Sequence, residues 1–247
     1  MPLTLDTIAI PLARGERPPV WGLNLNAFPQ GPDDLKSAYE TWLEAAKVEL
    51  EGTGAYLYPH DYMHVTASSP APFTNASLAS WSEEERAEYA AAWLIALRDT
   101  CCAGNAAGVE WPDAPFPLVF ETLELKDNCA IFSVRDETGG VAKIRAAVAA
   151  AARHPALASG RAAELLAKSG FKTPGIVHSS IMRFAAPRAE GLSEDDVKER
   201  WARAAALWPG PVTVMADKMT YIIEAVPYQH ILKGEGLLGV FPYAGKQ

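Results

Sequence analysis

The chain lacks an uninterrupted apolar run of about 18 residues, so no membrane-spanning helix is expected. Its start, Met1-Pro2-Leu3-Thr4-Leu5-Asp6, has no basic segment followed by an apolar one; no secretory leader is expected, and a cytoplasmic location is the default. Cysteine is scarce. Cys101, Cys102 and Cys129 form no C-x-x-C pair, and no histidine or further thiol sits at ligand spacing, so they read as reduced, buried thiols. A basic excess is missing too: 22 Lys and Arg stand against 30 Asp and Glu, a net charge of −8. That balance argues against long nucleic acid, whose phosphates require a basic surface, but leaves room for a small phosphorylated ligand held by a few local groups. There is no G-x-x-x-x-G-K-[ST] loop, which disfavours a nucleoside-triphosphate enzyme, and no G-x-S-x-G elbow, which disfavours an α/β-hydrolase.

What is present is an ordinary globular composition of 247 residues, 49% hydrophobic and 21% charged. The length suits one large domain or two lobes sharing a core, and the expected organisation is one bilobal domain over residues 1–247. Residues 7–11 and 20–28 look β-like. Asp33 reads as the N-cap of a helix to about Glu51, with Leu35, Tyr39, Trp42, Leu43 and Leu50 at helical spacing. Residues 55–58 and 62–68 read as extended, and a Pro/Ser/Asn loop follows to about Ala79. Ser82-Glu83-Glu84-Glu85 is a capping box that opens a helix to about Thr100.

Residues 117–125 and Cys129–Arg135 predict a hairpin around Lys126-Asp127-Asn128. Helices are expected over 141–153, stopped by His154-Pro155, and over 156–169, ended by Gly170. Residues 176–184 form a strand, Ser193 starts a helix to about Trp208, and residues 212–215 and 219–226 give two strands around Ala216-Asp217-Lys218. The Gly/Pro-rich tail reads as irregular. The seven tryptophans, at 21, 42, 81, 93, 111, 201 and 208, read as core.

Two short stretches carry the chemistry. Met63-His64-Val65-Thr66-Ala67 and Val177-His178-Ser179-Ser180-Ile181 each place a hydroxyl residue two positions after a histidine, 114 residues apart. In a strand, alternate side chains share a face, so His64 emerges with Thr66 and His178 with Ser180. The other histidines (His60, His154, His230) lack the pattern. Element order repeats as well: the His64 strand, the Ser82 helix and the hairpin are matched by the His178 strand, the Ser193 helix and the last strand pair. In a two-lobed α+β protein these strands can face each other across a pseudo-twofold axis.

On those ten positions, and in element order from about residue 17 to 230, the chain resembles the 2H (two-histidine) phosphoesterase superfamily, which includes the RNA-ligase-like 2′,3′-cyclic phosphodiesterases. The resemblance implies an α+β bilobal fold, two pseudo-twofold-related lobes with antiparallel sheets flanked by helices, and a cleft between them. It differs from a minimal member by extra sequence at the N-terminus and over 156–172, and by Ser179, where a bulky apolar residue is more usual.

Opening a cyclic phosphate needs a base for water and an acid for the departing ribose oxygen, and two imidazoles near pKa 6.5 can divide that work. Thr66 and Ser180 can donate to the non-bridging oxygens. The expectation is therefore a metal-independent phosphoesterase without a cofactor, acting on a cyclic phosphate or phosphodiester of a nucleotide or short RNA end. Its catalytic residues would be His64, His178, Thr66 and Ser180. Tyr62, two positions before His64, is a candidate to stack on the substrate. Arg183, five beyond His178, should point to the opposite face as a solvated strand-end charge unless a bulge intervenes. Tyr228 and His230 follow the last strand and could fringe the cleft. The expected partner is a small phosphorylated ligand or short RNA end, with no long nucleic acid and no membrane, and the chain is expected to be a monomer. Two alternatives remain: a non-catalytic nucleotide or RNA-end binding module on the same fold, and a metal-dependent hydrolase built on His60, Asp61 and His64.

Overall fold

The computed structural model describes residues 2–28, 30–101 and 109–243; Cys102 lies outside them. Helix α1 (Ala9–Ala13) stands where a strand was expected over 7–11. Asp6 Oδ1 accepts the backbone N–H of Ile8 (3.0 Å) and Ala9 (3.3 Å), and Pro11 falls in the first turn, where its missing N–H breaks no helical bond. Strand β1 (Leu23–Asn26), helix α2 (Asp33–Glu49) and strand β2 (Ala55–Leu57) follow the sequence reading. Pro32, not Asp33, is the N-cap of α2, which leaves Asp33 and Asp34 in the first turn beside the positive end of the helix dipole.

The strand expected over 62–68 is displaced. A 3₁₀ turn (His60–Tyr62) and three extended residues carry the chain past His64 before strand β3 (Thr66–Ala71) begins. Residues assigned to a loop, Ser69-Pro70-Ala71 among them, complete β3, and it is an edge strand, where a sheet tolerates proline. Helix α3 (Glu83–Cys101) starts at the expected capping box: the Ser82 N–H donates to Glu85 Oε2 (2.7 Å), and the Glu85 N–H donates to Ser82 Oγ (3.1 Å). Strands β4 (Phe116–Leu125) and β5 (Cys129–Arg135) form the predicted hairpin. Helix α4 (Gly140–Ala151) comes next.

The single helix expected over 156–169 is two, α5 (Pro155–Ala158) and α6 (Gly160–Ser169), because Ser159 between them is extended (φ −139°, ψ 158°). Gly170, in the left-handed region (φ 71°), ends α6 as predicted. Strand β6 (His178–Phe184), helix α7 (Glu194–Ala206), and strands β7 (Val212–Ala216) and β8 (Lys218–Ile223) complete the second half. The tail is not irregular: Gly234 and Gly236 turn the chain back into strand β9 (Leu237–Pro242), paired with β8.

All pairings are antiparallel, in two sheets of order β3-β1-β8-β9 and β2-β6-β5-β4-β7. The fold is thus α+β and two-lobed, each sheet flanked by helices. Helices α3, α4 and α6 pack against the first sheet's lobe, and α2 and α7 against the second. The repeat seen in element order does not map one half of the chain to one lobe. Hairpin β4–β5 joins the His178 strand rather than the His64 strand, and the neighbours β7 and β8 part at Asp217 into different sheets. A continuous core containing Trp42, Trp93, Tyr39 and Phe132 runs through both lobes, and the indole of Trp42 donates to the Ala204 carbonyl (2.8 Å), tying α2 to α7. Trp42, Trp81, Trp93 and Trp201 are buried, while Trp21, Trp111 and Trp208 are half-buried against the same core. Among the described residues no helix is long and apolar enough to cross a membrane.

Candidate active site

The two histidine motifs meet. His64 and Thr66 from the first sheet's edge, and His178 and Ser180 from β6 in the second sheet, line one cleft of about 440 Å³. The motifs also touch behind it, where the buried Ser179 Oγ reaches Met63 Sδ at 4.0 Å. The small residue at position 179 leaves room for that contact between sheets.

His64 is held firmly. Its Nδ1 donates to the Tyr62 carbonyl (2.8 Å), so the neutral ring carries its free lone pair on Nε2. Burial pulls its pKa down to about 4, with the nearby His178 adding to the effect against the pull of the Tyr62 carbonyl. His178 is less enclosed. Burial lowers its pKa as well, and the charges of Arg145, Arg183 and Lys126 act in the same direction, while the Ile176 carbonyl opposes them. Its buried Nδ1 has no partner in hydrogen-bond geometry.

Arg183 is not a solvated strand-end charge. Along β6, Ser180 pairs with Ile131 but Met182 pairs with Ala130, so Ile181 is an extra residue in the ladder. Ile181 and Met182 both face the core, and alternation resumes one position late. Arg183 therefore emerges on the face of His178 and Ser180 and lines the cleft. Asp6 Oδ2 accepts from its Nη1 (3.0 Å), and the Tyr228 ring lies 4.2 Å from its Cζ, itself fixed by donation from the Tyr228 hydroxyl to Asp6 (2.7 Å). A half-buried arginine stacked on one face and paired at one edge keeps donors for an oxyanion.

Of the far wall only Tyr228 was foreseen, as a residue at the cleft's fringe. Glu224, fully buried, accepts from Asn24 Nδ2 and from the backbone N–H of Gln229 (3.0 Å), and Ser69 Oγ donates to Asn24 Oδ1 (2.5 Å). Burial pushes the Glu224 carboxyl up to about 8 despite those donors, so it is largely protonated at neutral pH. Tyr228 and Gln229 both occupy the left-handed region (φ 56°), a strained pair at the cleft's end. Lys172, delivered by the sequence added over 156–172, stands at the rim, where its backbone bridges to Ser69.

Other candidates lie elsewhere. Tyr62 packs its ring on His230 (4.4 Å between centroids) and does not line the cleft. His230 is buried among Tyr56, Tyr58 and Tyr62, with burial lowering its pKa to about 4. His60 donates from Nε2 to the Pro32 carbonyl (2.9 Å). Among the described residues no three His, Cys, Asp or Glu side chains converge as metal ligands, so His60, Asp61 and His64 do not make a centre.

The sequence matches no protein-family model and no curated protein. Solved structures do resemble it. Escherichia coli LigT in apo form aligns over 92% of this chain and 100% of its own, at 12% identity and a TM-score of 0.50. TT0787 of Thermus thermophilus aligns over the same shares at 16% identity and a TM-score of 0.49, and LigT complexed with 3′-AMP at 12% and 0.48. At that identity the likeness is one of fold: this chain shares the two-lobed α+β fold of LigT.

Proposed function

We propose that the protein is a metal-independent phosphoesterase that hydrolyses a cyclic phosphate or phosphodiester of a nucleotide or short RNA end. One observation carries this reading: two imidazoles and two hydroxyls, contributed by different sheets, line a single cleft. His64, neutral with Nε2 free, takes the proton from the attacking water. His178, with the higher solvent access of the two, gives a proton to the leaving ribose oxygen. Thr66 and Ser180 donate to the non-bridging oxygens as negative charge gathers there, and Arg183 adds its remaining donors. A bound phosphate raises both imidazole pKa values by its own charge, so the histidine that must be protonated becomes so once substrate is in place. The acidic whole, net −8, suits a small ligand better than a long polymer.

The test is turnover of 2′,3′-cyclic mononucleotides and short RNAs with cyclic ends. His64→Ala and His178→Ala should each lower kcat by about 10²-fold or more with melting temperature little changed. The pH profile of kcat/KM should be a bell centred below 6.5, its acid limb near 4 from His64. Chelators should leave the rate unaltered; abolition by a chelator overturns the mechanism. Ligand binding that survives either substitution, with no turnover by the wild type, would favour a binding module instead.

A further inference from the structure

Arg145, on α4, reaches across the join between lobes. Its Nε donates to the Ala67 carbonyl (3.2 Å) and its Nη2 to the Ile176 carbonyl (2.8 Å). Ala67 directly follows Thr66 in the first sheet, and Ile176 stands two residues before His178 at the start of the second motif. One guanidinium thus grips a main-chain oxygen beside each histidine motif. Among the described residues Arg145 has no carboxylate within ion-pair distance, although it is half-buried and burial lowers its own pKa. Holding a half-buried charge there is costly, and it receives in return the two carbonyls and the more distant charge of Asp136.

We infer that Arg145 is a positioning residue that fixes the spacing and orientation of His64 and His178 by strapping the two motif strands together; this rests on the reading of those histidines as the acid–base pair. Two features make arginine the residue for the task. Its planar fork presents separated donors in fixed directions, which a lysine ammonium does not. Its charge also faces His178, together with Arg183 from β6, Lys126 from the β4–β5 turn and His64 across the cleft, so the strap bears on protonation as well as on place. The Ile176 carbonyl is shared ground, since it accepts from Arg145 and lies against His178.

Arg145→Met and Arg145→Lys separate geometry from charge. Both should lower kcat on a cyclic mononucleotide by about 10- to 100-fold with KM changed much less, since misplacement by about 1 Å has that effect on aligned groups. NMR titration of the imidazoles, which needs no substrate, should show His178 titrating at higher pH in Arg145→Met and near its wild-type position in Arg145→Lys. Retention of kcat within about twofold in both variants, or an unmoved His178 titration in Arg145→Met, overturns the inference, whatever the melting temperature does. If wild-type protein turns over no cyclic phosphate, the catalytic reading falls, and the titration still decides what Arg145 does to His178. Should Arg145→Met not fold, Arg145→Gln removes the charge with a polar side chain and is read by the same titration.

Discussion

Glu224 and the buried histidines pull stability in opposite directions as pH changes. The Glu224 carboxyl holds its proton to about 8 when folded but to about 4.5 when unfolded, so the folded state loses stability as pH rises between those values. His64 and His230 sit near 4 when folded against 6.5 unfolded; their contribution is present above 6.5 and is lost as pH falls towards 4. At pH 6.5 the unfolded histidines are still half protonated and offset Glu224; above about 7.5 they are neutral in both states and Glu224 dominates. Melting temperature should therefore decline from about pH 7.5 to 8 in the wild type, and Glu224→Gln should flatten that slope; a slope surviving the substitution assigns it elsewhere. The four residues that meet in the cleft were legible in the sequence from their repeated spacing, although strand alternation holds only for His178 and Ser180, since β3 begins after His64. Arg183 was not: its side was set by one inserted residue, Ile181, which has no signature in composition. Arg145 was equally silent, since it acts on main-chain carbonyls that any residue would supply.

Secondary elements with their own end signals were read well. The box at Ser82 closes as expected, and Ser193, expected to start a helix, also forms one through reciprocal bonds with Asp196. Helix α7 packs on α2 and β4, away from the cleft. Ser193→Ala should accordingly cost about 0.5–2 kcal/mol of stability, measured by urea titration, while leaving turnover unchanged. The misread elements have other causes. β9 and the late start of β3 depend on pairing with distant chain, which outweighs local propensity, while the break at Ser159 follows a one-turn helix capped locally by His154. Helix α1 inverts the point: a single side chain, Asp6, made a helix from residues whose composition favoured a strand, and the same carboxylate then holds Arg183 and Tyr228.

At the scale of the whole molecule, neither sheet belongs to one half of the chain. The first takes β1 and β3 from early sequence and β8 and β9 from late; the second takes β2, β4 and β5 from early and β6 and β7 from late. The lobes are laced together, and the cleft is the seam. Met63 lies in that seam, fully shielded, with its sulfur against Ser179 of the opposite motif. Peroxide can reach it only when the lobes part, and a sulfoxide there would drive a polar oxygen between the two histidine motifs. Inactivation by peroxide should therefore track Met63 sulfoxide by mass spectrometry, slow when a nucleotide fills the cleft, and vanish in Met63→Leu. The thioether becomes a chemical clock for how often this protein breathes.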